Sequence, residues 1–256
     1  MKSLILILVV LHAGMAILRG SHVLRSKAPR WMASYHIDTQ PHFYCSGTLI
    51  APRIIHTSGN CLRNATKGNH FIVTINDFLL DTREKTEKRT TASDWYTTEI
   101  VRTAAREGKS NEHDKQEDYG LLFLDEAVSV CEEEKDETLL VPIIDSSIFP
   151  NETAALNPAV MMRSSITGWG LNERGRVETF LRSARPKNMY AVRGMIVVLE
   201  YANDARECNG DSGSPLVCRI ENIPVIMGNF AGGIPIDEEA EMNEEEEWKK
   251  CELRRD

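Results

Sequence analysis

The chain has 256 residues, 42% apolar and 27% charged, with 16 glycines, 10 prolines and a formal net charge of −8. The apolar fraction excludes a disordered chain, and the Gly and Pro counts exclude a collagen-like or low-complexity one. A net negative protein is a poor partner for nucleic acid, and no apolar run after residue 17 approaches the roughly 18 residues a membrane-spanning helix needs.

Taken in chain order, the first feature is an export signal. Lys2 precedes an apolar run over residues 4–11, and Gly14 and Ala16 flank Met15. A positive end, a short apolar core and a small-x-small exit predict a signal peptide over residues 1–16, cleaved after Ala16. The mature protein is then secreted and extracellular, in an oxidising compartment where disulfides persist. The sequons Asn64-Ala65-Thr66 and Asn151-Glu152-Thr153 fit that route as glycosylation acceptors.

Short β-branched or apolar runs bounded by turn residues predict strands over 48–50, 53–55, 71–75, 121–124 and 195–199. Residues 82–117 read as a polar loop apart from a stretch over 95–101, and no internal repeat is present. Many short strands at this length predict an all-β barrel or sandwich. Residues 237–256 hold ten acids against four bases, including the glutamate run 244–247. This acidic tail reads as a solvated terminus or as a docking segment for a basic partner.

The most specific segment is Cys208-Asn209-Gly210-Asp211-Ser212-Gly213-Ser214-Pro215-Leu216-Val217-Cys218. Glycines on both sides of an Asp-Ser pair let Ser212 sit on a tight turn. The backbone N–H groups of Gly210 and Ser212 can then form an oxyanion hole for an acyl-transfer intermediate. This segment resembles the nucleophile segment of the chymotrypsin/trypsin family of serine peptidases. Cys45-Ser46-Gly47-Thr48-Leu49-Ile50, Thr57-Ser58-Gly59-Asn60-Cys61, Asp118-Tyr119-Gly120-Leu121-Leu122 and Thr167-Gly168-Trp169-Gly170 are similar to further family segments, in the same order.

The resemblance implies two packed antiparallel six-stranded barrels over residues 17–236, the second irregular, with a short C-terminal helix as an option. It also implies a Cys45–Cys61 disulfide. The remaining Cys131, Cys208, Cys218 and Cys251 allow three connectivities, which stay open. By position, Ser212 is the nucleophile and Asp118 the orienting acid, while Asn60 stands where the family carries its histidine. An amide has no nitrogen basic enough to take the serine proton. His56 lies on an apolar strand and reads as a partly buried, satisfied side chain. His113 lies in a charged loop, and neither histidine has the position of a base.

Arg206 stands where trypsin-like relatives carry the Asp of the specificity pocket. Only 44 residues follow Ser212, so the segments that close that pocket are expected to be shortened. Signal cleavage would leave Ile17 as the new terminus, and family behaviour implies that its α-amino group pairs with Asp211. Neither a metal site nor a cofactor is indicated. The leading expectation is a secreted, non-catalytic peptidase homologue that binds a protein partner or a component of a peptidase cascade. The alternatives are a weak or unorthodox serine endopeptidase using Ser212, and a reproductive or structural secreted protein on the same scaffold. The sequence leaves the oligomeric state open.

Overall fold

Residues 71–75 show the simplest link from sequence to structure. Phe71, Val73 and Ile75 are buried while Ile72 and Thr74 are partly exposed, the period of two of a strand with one face on a core. The computed structural model describes residues 17, 19–40, 44–63, 65–80, 82–98, 118–129, 141–142, 154–155, 162–170, 179–192, 195–205, 207 and 210–231. Among these the protein is nearly all β.

After the short strand β1 (Ser21–His22), six strands close a barrel: β2 (Met32–Ile37), β3 (Cys45–Ala51), β4 (Ile54–Thr57), β5 (Phe71–Ile75), β6 (Lys88–Thr97) and β7 (Gly120–Leu124). Their order is β2-β3-β4-β7-β6-β5, with β5 paired back to β2, and all the pairs are antiparallel. The interior is filled by Tyr35, Leu49, Ile55, Phe71, Leu122 and their neighbours. Each such fully buried large apolar side chain contributes about 1.5–3 kcal/mol.

Strand β6 corrects the loop expected from residue 82 onward, since it begins at Lys88. Only Ala92 in it is fully buried, so the run lacks the apolar alternation that marks a strand. Its backbone is recruited by β5 on one side and β7 on the other, which completes the barrel.

The second half is built from β8 (Ala154–Ala155), β9 (Ser164–Gly168), β10 (Arg182–Ala184), β11 (Pro186–Val192), β12 (Met195–Tyr201), β13 (Pro215–Ile220) and β14 (Ile223–Asn229). Among the described residues the expected irregular barrel takes the form of two sheets, β1-β10-β9-β13-β14 and β12-β11-β8. Register shifts within the β11–β12 ladder account for part of the irregularity. Trp31 and Met32 from the first half pack with Trp169, Leu181, Val217 and Ile226 from the second, and this shared core joins the halves. The expected C-terminal helix, the expected signal peptide and the acidic segment 237–256 lie outside the described residues.

Candidate functional site

The first part of the site is a turn at the end of β4. Ser58 caps the single 3-10 turn Gly59–Cys61, its hydroxyl accepting from the Asn60 N–H at 3.2 Å. The same hydroxyl donates to Asp118 Oδ2 at 3.0 Å, and the Asn60 N–H donates to Asp118 Oδ1 at 2.7 Å. A Cβ on Gly59 would sit 2.9 Å from Asp118 Oδ1, so the turn rests directly on the carboxylate. The Cys45–Cys61 disulfide is formed and ties the turn to β3. A cross-link closing a loop of this size is worth about 3 kcal/mol.

The second part is the turn carrying Ser212. Gly210 has φ 93° and Gly213 has φ 82°, left-handed backbone that glycine adopts without steric cost. A Cβ on Gly213 would also collide with the Ser46 carbonyl and the Thr57 hydroxyl. The turn is therefore pressed against the barrel.

Ser46 N–H donates to the Ser212 carbonyl at 3.0 Å, and the Thr57 hydroxyl donates to the Ser46 carbonyl at 2.8 Å. Because Thr57 has spent its proton, the Tyr35 phenol is the donor in their 2.6 Å contact. Burial, the largest influence, raises the phenol above its ordinary value and keeps it protonated. Phe230 completes the support, accepting from Gly213 N–H and donating to the Ser214 carbonyl, both at 2.8 Å.

These contacts bring both parts of the site to one seam: Cys61 Sγ lies 3.5 Å from the Ser212 carbonyl. Among the described residues, the Ser212 hydroxyl makes no hydrogen bond to the side chain of Asn60 or to Asp118. The Gly210 and Ser212 N–H groups donate to no other described residue.

Asp211 is fully buried beside this turn and accepts from the Gly170 N–H at 2.8 Å. A Cβ on Gly170 would run into its carboxylate. Ile17 is fully buried too, packed with Ile166, Ala184, Tyr201 and Ala205. Its carbonyl accepts from Gly20 N–H at 2.5 Å. With Ala16 still attached the Ile17 nitrogen is an amide, so an ion pair with Asp211 requires cleavage first.

Several neighbours escaped sequence reasoning. The Ser58 hydroxyl is one; its signal was a hydroxyl residue two positions before Asn60 at a strand end. Glu207 is another, its carboxyl pushed up to about 8 by burial, with Asp211's charge adding to the effect. At neutral pH it is therefore largely protonated. Asn229 at the end of β14 has a buried Nδ2 with no hydrogen-bond partner among the described residues.

His56 pairs across the sheet with Thr48 and Leu121, and burial pushes it down to about 4. It is neutral, but its buried Nδ1 has no partner among the described residues, which corrects the expectation of a satisfied side chain. A lone buried imidazole nitrogen costs less neutral than charged, and the barrel wall supplies no acceptor there.

Cys218 is buried on β13 among Met189, Leu216 and Met227. Arg206, Cys131, Cys208, Cys251, His113, Asn64 and Asn151 lie outside the described residues. Among the described residues no group of three His, Cys, Asp or Glu side chains could hold a metal ion, and no helix is long and apolar enough to cross a membrane.

Comparison with protein-family models finds a match to Trypsin over residues 18–235. That span takes in the closed barrel, the sheets of the second half, the Asp118 turn and the Ser212 turn, and the chain belongs to the trypsin family of chymotrypsin-like serine peptidases.

Proposed function

We propose that this protein is a secreted, non-catalytic member of the family that acts by binding protein and regulating proteolysis. The observation that carries this reading is the Asp118 corner. Both oxygens of its carboxylate take donors from the Ser58–Asn60 turn, and position 60 supplies an amide side chain where the family's chemistry needs an imidazole. A serine alcohol without a base beside it is a weak nucleophile at neutral pH. Position 60 offers Asp118 no imidazole to orient, and its carboxylate holds the turn. Arg206 in place of a pocket carboxylate removes the family's means of receiving a basic substrate side chain.

In this reading residues 1–16 direct export, residues 17–236 form the peptidase-like domain, and residues 237–256 form an acidic extension. Ile17 becomes the terminus on signal cleavage and pairs with Asp211, so no separate activating cut is needed. The partner is a protein, such as a component of a peptidase cascade.

The formed turn at Gly210–Gly213 favours a second reading, an unorthodox endopeptidase that uses Ser212. A fluorophosphonate probe separates the two. The binding protein stays unlabelled as wild type and gains label only after Asn60→His. Robust labelling of wild type, lost in Ser212→Ala, establishes the enzyme.

A further inference from the structure

Away from the candidate site, the far end of the five-stranded sheet carries a groove of about 530 Å³. Arg163, Arg185 and Arg219 line it, with Glu221 as the one acid in the lining and Met162 at its rim. The sheet forces these arginines together. Arg219 N–H donates to the Arg163 carbonyl at 3.1 Å where β13 runs beside the start of β9. Arg185 follows directly on Ala184, which pairs with Ile166, so it stands beside Ser165, two residues from Arg163. Cross-strand neighbours and residues two apart share a face. Three guanidinium groups thus project from one face, all exposed.

Among the described residues none of the three forms a salt bridge. Like charges directly opposite each other on a sheet are destabilising. A groove that concentrates them is an electrostatic site for an anion with several charges, and the fork of each guanidinium matches a carboxylate.

We propose that this groove binds the acidic segment 237–256 of the same chain. That segment carries net charge −6, concentrated in the four consecutive glutamates 244–247. The reach is sufficient. β14 begins at Ile223 beside the groove and ends at Asn229, a distance of about 20 Å along the strand. The fourteen residues from Ala231 to Glu244, thirteen steps along the chain, can span about 43 Å when extended, enough to double back. Trp248 follows the glutamate run, and Met162 at the rim is 69% exposed, offering a thioether surface for an aromatic ring. The basic partner of the tail is then the protein itself, and an outside partner must displace one to reach the other.

The test is zero-length carbodiimide coupling in the full chain with Arg163→Lys or Arg219→Lys, which keep the charge and add an amine. The products are separated by size and mapped by peptide mass. The expected product is a monomer cross-linked between the new lysine and residues 244–247. Its yield should exceed that at the exposed Lys27 and Lys67 by about fivefold or more, and should collapse at ~0.5 M salt, where screening reaches only a few ångströms. Equal coupling at Lys27 and Lys67, coupling that yields covalent dimers, or no coupling to the tail overturns the proposal.

Discussion

The closed barrel and the two-sheet half each supply one part of the candidate site, and they hold it in different ways. The Asp118 corner is satisfied inside the barrel, by donors only two positions apart in the chain, Ser58 and Asn60. The Ser212 turn is held across the seam, its carbonyl on Ser46 N–H and its Gly213 against Ser46 and Thr57. The barrel interior is one continuous cluster, whereas the core of the second half is split among several smaller ones. A corner with local donors keeps its shape whatever side chain position 60 carries. A turn held across a seam keeps its shape only while both halves stay docked. The contacts that hold the Ser212 turn therefore do not depend on the side chain at position 60.

The largest effect that would break this contrast is catalytic. Removing the base from a comparable triad enzyme costs about a million-fold in turnover, so peptide-ester assays should show no Ser212-dependent hydrolysis. On the proposed reading Asn60→His restores little turnover, because Arg206 then still stands in place of the pocket carboxylate. Trypsin-like rates in that variant would show that the second half forms a complete pocket.

Next comes the seam itself. If signal cleavage frees Ile17 and its amine pairs with Asp211, Asp211→Asn leaves a buried charge without its partner. The expected cost is about 3–5 kcal/mol, read as a drop in melting temperature of the secreted protein, with N-terminal sequencing beginning at Ile17. A different terminus, or a variant as stable as wild type, removes the ion pair from the account.

A smaller effect probes the barrel wall. His56 titrates near 4 when folded and near 6.5 when unfolded, so the unfolded chain takes up the proton first as pH falls. The stability is fully present above about 6.5 and is lost as pH drops towards 4. Relative to His56→Gln, wild type should lose about 3 kcal/mol across that window, measured by denaturant unfolding at each pH. Asp77 works in the opposite sense, pushed up to about 6 by burial, but it is common to both proteins and cancels in the difference. A pH-independent difference would place His56 in contact with solvent.

The smallest expected effect sharpens the contrast between local and cross-seam support. Ser58→Ala removes one donor from the partly buried Asp118 carboxylate and should cost about 1–2 kcal/mol, while Ser212 stays in place. A loss much larger than this, or a change in the protease sensitivity of the second half, would mean that the corner also holds the seam.

The sequence by itself determined the barrel strands with apolar alternation, such as residues 71–75. It also determined the Cys45–Cys61 closure through family resemblance and the glycines that Ser212's turn demands. Those features are encoded over a few residues, because period-two burial and left-handed backbone leave local marks. Tertiary structure decided the rest. Strand β6 is nearly all polar, and it became a strand because β5 and β7 each had one open edge for it to pair with. Ser58 became a ligand of Asp118 because folding brought together residues 60 positions apart. Glu207 became a neutral acid, and His56 a neutral imidazole, because desolvation depends on what packs around a group. The three arginines at 163, 185 and 219 lie far apart in the chain, and only sheet register makes them one positive face. Long-range pairing, burial and register are properties of the folded whole, and no single segment carries them.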